Sequence, residues 1–380
     1  MSFNSLTKKF FWINFIIIII ATIGLGVYDP LHIFHKSWIT KNDRLHGNMR
    51  LQAAGIINNY NFDSVIIGTS MMKGTSAISA SHKMGGKFVN VSSDGSSIFE
   101  RKYIINYALQ KKNIKNVILS FDTGLNANLK KDYHRFPINR FDFLYDDIWL
   151  NDVKAYWNYK FIGCFIRFSF TINCLGSERN VQRPLEWFDG VYKLNQEISG
   201  IENWVHSRNG RGKGVHSRVR RHITKPIKTE KKYEDKLRLT QEIIEGSLFS
   251  IIENHKSTKF HVVFPPYSRF LYALWKRKNP YKYQLYIQTL KYLVIAGNKY
   301  SNLTIYSFDN LKYLDDLDNY RDMRHYNTDI NEVILDAISN NRNIISDGNL
   351  IPFINNIDKL NGSYKLDEEL NYLLSNYSVR

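Results

Sequence analysis

Hydrophobic and polar positions fall into a repeated short–long rhythm. Ser64–Ile67 (SVII) is a short apolar run that predicts a buried strand, followed by a turn of small residues and a segment around Ala77–Gly85. Lys87–Val91 (KFVNV) predicts a second strand. Ser97 to about Lys111 then carries a helical period, with Ile98, Tyr103, Ile104, Tyr107 and Ala108 as its apolar positions. Asn116–Phe121 (NVILSF) predicts a third strand. The rhythm returns at Phe260–Phe264 (FHVVF), which Pro265 and Pro266 end because proline has no donor for the ladder. A long helical segment over about Tyr267–Ala296, a strand at Leu303–Phe308 and helices at Asn327–Ile338 and Asp367–Asn376 complete it. Strands alternating with helices predict an α/β fold built on a parallel sheet. Between the two halves, Leu125 to about Ser257 loses this spacing and reads as one large insertion, with a second compact domain as the alternative. Asn-rich pieces such as NNRNIISDGN read as surface loops.

The longest apolar run, Phe10–Tyr28, has 19 residues and no charged side chain. At about 1.5 Å per residue it spans about 30 Å, the thickness of the hydrocarbon layer. Trp12 and Tyr28 lie near its ends, where interface aromatics collect. This predicts an uncleaved transmembrane anchor. A cleaved signal peptide is the second reading, although its apolar region is usually shorter and ends in an A-x-A-like site. A buried core helix is the third. Lys8 and Lys9 predict a cytoplasmic N-terminus and an outward-facing main domain. The next most apolar stretch, Tyr159–Gly176, is interrupted by Arg167 and reads as a buried or interfacial segment. In an outward compartment its two cysteines, Cys164 and Cys174, are candidates for a disulfide, with two buried thiols as the other reading.

Charge changes the expected partners. The net charge of +17, from 52 Lys and Arg against 35 Asp and Glu, favours anionic ones. A basic segment, His206–Lys232, concentrates ten Lys or Arg around one acid, Glu230. Gly210, Gly212 and Gly214 predict a flexible start. It reads either as a solvated loop or as a clamp for an anionic chain or leaflet, with Arg218, Arg220 and Arg221 as contacts. Nucleic acid is not expected, because no recognition motif is present. Neither His216 with His222 nor His32 with His35 has ligand partners at metal spacing, and GTSMMKGTS lacks the ending of a nucleotide loop. No metal or cofactor is therefore expected.

Candidate chemistry lies where strands end. Thr69 and Ser70 follow the first strand, so each is either a helix cap or a nucleophile. A hydroxyl nucleophile needs a base, and the base an orienter. His325 in NYRDMRHYN has Asp322 three residues before it, after the last strand. Because strand C-terminal ends share one edge of a parallel sheet, these distant residues can meet. Alone, Asp322 reads equally well as an N-terminal cap, and Gly68 and Gly95 as tight turns.

Gly68-Thr69-Ser70, Gly95 and Asp322-x-x-His325, in this order, resemble the blocks of the SGNH or GDSL hydrolase superfamily. The resemblance implies a flavodoxin-like parallel sheet with Ser70 as nucleophile, His325 as general base and Asp322 as its orienter. Backbone N–H groups of Ser70 and Gly95 would face the oxyanion. The family's third block, an asparagine after the third strand, departs here: FDTGLN offers Asn126 at a different spacing and Asp122 nearer. An N-terminal anchor with an outward SGNH-like domain is similar to membrane-anchored members, the DltD-like proteins and those of bacterial polysaccharide clusters, and Phe264-Pro265-Pro266-Tyr267-Ser268 and Asp-x-x-His-Tyr resemble features of the latter. That implies acyl transfer or ester hydrolysis on an envelope polysaccharide, in a bacterial cytoplasmic membrane, with a multi-span acyl donor protein as a further partner. Tyr267 and Tyr326 are candidate substrate contacts, or else packing. A non-catalytic protein binding an anionic envelope polymer on the same fold is the alternative. The expected division is a tail (1–9), an anchor (10–28), a juxtamembrane segment (29–60), a first core part (61–126), the insertion (127–257) with its basic loop (206–232), and a second core part (258–380).

Overall fold

Five parallel strands form the central sheet: β2 (Ser64–Ile67), β3 (Phe88–Asn90), β4 (Asn116–Ser120), β6 (Lys259–Phe264) and β7 (Leu303–Ser307), in the order β3-β2-β4-β6-β7. Every residue of β2 and β3 is buried, as are all but the first of β4 and β6, which is why these runs lack an alternating polar face. A small antiparallel ribbon pairs β1 (Arg44–Leu45) with β5 (Ser177–Glu178) and so ties the juxtamembrane segment to the insertion. The computed structural model describes residues 3–38, 43–122, 138–178, 181, 199–206, 211–224 and 230–376. The result is a mixed α/β fold with a parallel sheet, a large helical insertion and one N-terminal helix of membrane length. Among the described residues only that helix, α1 (Phe3–Tyr28), is long and apolar enough to cross a membrane, over Thr7–Tyr28.

Helices flank the sheet in two groups. One joins α3 (Ala77–Met84) with Asp329–Ser339, and the other includes α2 (Met49–Asn59) and α4 (Ile98–Lys111). Ser97 and Glu100 close a capping box on α4, satisfying two donors that a helix start leaves open. Tyr103, expected on the apolar side of α4, is exposed.

The expected single helix over about 267–296 is two, Arg269–Lys278 and Pro280–Gly297. Pro280 cannot donate to the preceding turn, and Asn279 leaves helical geometry at φ −148° and ψ 62°. The Asn-rich stretch expected as loop runs into a helix, Asp347–Ser363, that Ser346 caps. Within the basic segment, expected to be flexible at its start, Arg211–Thr224 is helical with Gly212 and Gly214 inside it, and Gly210 lies outside the described residues. Val215 and Val219, one turn apart, are buried, so packing outweighs the low helix propensity of glycine. Cys164 and Cys174 form a disulfide between the short helices Tyr159–Ile166 and Ile172–Leu175.

Candidate functional site at the strand ends

Strand order reverses between β2 and β4, because β3 lies on one side of β2 and the later strands lie on the other. In open parallel sheets such a switch point opens a crevice at the carboxyl ends of the strands. Gly68 turns the chain out of β2 there. A Cβ on it would come within 2.5 Å of Ser120 Oγ and 2.7 Å of Met72 Cγ, so no larger residue fits between β2 and β4.

The two adjacent hydroxyls then part. Thr69 turns inward: its Oγ1 donates to Asp122 Oδ1 at 2.9 Å and accepts the N–H of Met71 at 3.3 Å. Ser70 is partly exposed, and its Oγ lies 2.9 Å from His325 Nε2, across 255 residues of sequence. Neither caps α3; Ser76 does, accepting the N–H of Ser79 at 3.1 Å. His325 Nδ1 is 2.9 Å from Asp322 Oδ2. The other oxygen, Asp322 Oδ1, accepts the N–H groups of Arg324 at 2.8 Å and His325 at 3.1 Å. Asp322 thus caps its own turn and holds the imidazole at once. Helix Asp329–Ser339 begins after Thr328, beyond its reach.

Burial alone would raise the Asp322 pKa. The charge and hydrogen bond of His325, the Arg218 guanidinium and the Arg324 N–H outweigh it and hold the carboxyl far below the usual range. Arg218 Nη1 is 3.6 Å from Asp322 Oδ2. Arg220 and Arg221, grouped with Arg218 on sequence, are exposed, so the basic helix brings one of the three to the site.

The loop of residues 320–327 is clasped from several sides. Tyr326 donates to Met71 O at 2.8 Å, joining it to the serine turn. Ser268 Oγ donates to Met323 O at 2.8 Å while capping helix Arg269–Lys278. The Arg324 guanidinium lies 5.7 Å from the ring centre of Tyr267. Tyr267 itself is only 2% exposed and packs against Tyr272 and Trp275, and Tyr326 is buried too. Both rings therefore shape the loop, and neither offers a face on which a sugar could stack.

Gly95 sits in the loop after β3 with φ +60°, a conformation glycine adopts freely. Arg50 fixes this loop, donating to Ser93 Oγ at 2.8 Å and Asp94 O at 2.9 Å, with Glu100 as its buried counter-ion. Lys73, from the serine turn, holds Asp94 Oδ2 at 2.9 Å. The backbone N–H groups of Ser70 and Gly95 find no acceptor among the described residues. Asp122 is committed elsewhere: it accepts from Thr69 and from Ser120 Oγ at 2.7 Å, with Arg101 Nη1 at 3.5 Å. Asn126 lies outside the described residues.

Sequence reading missed Arg50, Arg101 and Lys73 as supports. Only Arg101 carried a signal, since it falls on the α4 face that holds Ile98, Ile104, Ile105 and Ala108. Set against family models, curated proteins and solved structures, the chain finds no match.

Proposed function

We propose that this membrane-associated chain is a serine-dependent acyl-transfer or ester-hydrolysis enzyme of SGNH type, acting on an envelope polysaccharide outside the membrane. The observation that carries this reading is the unbroken series Ser70 Oγ–His325 Nε2 and His325 Nδ1–Asp322 Oδ2, each link 2.9 Å, at the switch point of the sheet. His325 would take the Ser70 proton as Oγ attacks an ester carbonyl and return it to the alcohol oxygen as that C–O bond breaks; the acyl-enzyme is then resolved by a sugar hydroxyl or water that His325 deprotonates, which frees Ser70. The N–H groups of Ser70 and Gly95, which find no acceptor among the described residues, would receive the oxyanion. The strand order matches the flavodoxin-like sheet that the resemblance implies.

One observation favours the second reading, a polymer-binding protein without turnover. Where the family carries an asparagine donor, Asp122 accepts hydrogen bonds and is fully engaged with Thr69, Ser120 and Arg101. Labelling of the full chain with a fluorophosphonate, followed by peptide mass spectrometry, separates the two. Label on Ser70 that disappears in His325→Ala supports the enzyme. A folded full chain that takes no label on Ser70 sinks it and leaves the binding reading.

A further inference from the structure

We propose that the disulfide-closed hairpin Tyr159–Leu175 is a second membrane contact, a foot that dips into the outer interface of the bilayer that α1 crosses. Its depth follows from what it touches. The Phe165 ring lies over Gly24 so closely that a Cβ there would come within 2.3 Å of it, and Tyr28 donates a hydrogen bond to Ser169 O. From Phe10, the first residue of the apolar run, to Gly24 is 14 residues, about 21 Å of helix rise. The hydrocarbon layer is about 30 Å thick, so a helix entering at Phe10 has not cleared it at Gly24. Tilting the helix only lowers that point. The side chains beside Phe165 therefore lie at the boundary of acyl chains and headgroups.

Those side chains suit that place. Ile166 is 75% exposed, Phe168 59% and Ile172 58%, with Arg167 among them to reach the headgroups. Tyr159 and Trp157 are exposed at the start of the hairpin, the residue types of an interfacial belt. The backbone meets the demand that lipid makes of it. The N–H groups of Arg167, Phe168 and Ser169 donate to Gly163 O, Phe165 O and Cys164 O at 2.9–3.3 Å, and Phe170 O accepts from Arg44. The hairpin is also fixed to the anchor. Tyr28, Cys164, Cys174 and Leu175 form one buried cluster. Immediately after α1, the Asp29 carboxylate accepts the N–H groups of Ile33, Phe34 and His35 at 2.8–2.9 Å. The domain thus leaves the membrane on a rigid elbow, and the foot sets its tilt.

The test uses the full chain in phosphatidylcholine–phosphatidylglycerol vesicles that carry a phospholipid with a diazirine near the carbonyl end of one acyl chain. After illumination, labelled peptides are mapped by mass spectrometry. Label is expected on α1 and on residues 159–175. The exposed double variant Ile166→Ser/Phe168→Asn keeps the α1 label and loses severalfold on the hairpin. The asparagine suits the φ of +45° at position 168. Label on α1 with none on 159–175 in the wild-type chain overturns the proposal and assigns the apolar patch to a protein partner. Undiminished hairpin label in the double variant overturns it as well.

Discussion

Two aspartates after β7 are shifted in opposite directions from the ordinary carboxyl range. Asp309 is fully buried; Ser307 donates to it at 3.0 Å, Tyr272 at 2.7 Å and Tyr286 more closely still. The nearest guanidinium, Arg269, spends its N–H groups on Asp309 O, Leu311 O, Asn361 and Asp315. Burial therefore dominates and pushes Asp309 up to about 7, against the lowering by Tyr272 and Arg269. Asp322 is 17% exposed by side chain and faces His325, Arg218 and two N–H groups, so it stays ionised. The first environment packs the protein around a carboxyl that is easily neutralised. The second keeps a charge where an imidazolium would form. What separates them is the supply of positive partners, since both lie in the same stretch after one strand.

If that contrast is functional, Asp322→Asn should have the largest effect in the molecule. An asparagine can present its amide to Nδ1 and favour the wrong tautomer, which in serine triads lowers turnover by about 10⁴-fold. The rate of fluorophosphonate labelling at Ser70 should fall by about that factor, with the fold retained. A loss below about tenfold would place Asp322 with Asp309 as a packing residue. Asp122→Asn should come next, and on stability. It leaves the Arg101 guanidinium buried opposite a neutral partner, which costs about 3–5 kcal/mol for such pairs. Urea unfolding in detergent would register it. A neutral outcome would mean that the Ser120 carbonyl, which also accepts from Arg101, suffices for that charge.

Asp309 predicts a smaller, pH-dependent effect. Its folded value, about 7, lies above its ordinary value of 3.8, so the folded protein holds a proton that the unfolded chain gives up. This contribution to stability is fully present below the ordinary value and is lost as pH rises through about 7. Asp309→Asn should flatten the fall in melting temperature over that window while leaving Ser70 labelling nearly unchanged. A variant as steep as the wild type would assign the slope to other groups.

How much of this was legible depends on what a single sequence exposes. β2, β4 and β6 could be read because a strand buried on both faces leaves an uninterrupted apolar run, and Gly68 and Pro265 mark where two of them end. Pro280 was equally visible, yet the apolar period runs through it and hid the break. The helix Arg211–Thr224 was not legible: two glycines and its charges mask the pair Val215 and Val219, and only contact with the rest of the fold decides for helix. Ser70, Asp322 and His325 could be named from residue type and spacing. The Arg101–Asp122 pair could not, because its burial depends on α4 packing over the end of β4. Nor could the sequence separate Arg218 from Arg220 and Arg221, since that difference lies in which side of a helix faces Asp322.

Arg218 gives the last and smallest expected effect, and it tests whether the insertion belongs to the site or only borders it. Its guanidinium is 41% exposed by side chain and 3.6 Å from Asp322, while the contacts within the 322–325 loop are 2.8–3.1 Å. A partly exposed pair of this length is worth little and is screened by salt. Arg218→Met should therefore slow Ser70 labelling by about threefold or less at low ionic strength, and the difference from wild type should shrink as salt is added. Because Asp322 keeps His325 and its two N–H partners, the pH profile of labelling should keep its shape. A loss comparable to Asp322→Asn, persisting at high salt, would reverse the ranking. The basic helix would then be a working part of the acid–base series, and the insertion could not be exchanged without loss of the chemistry.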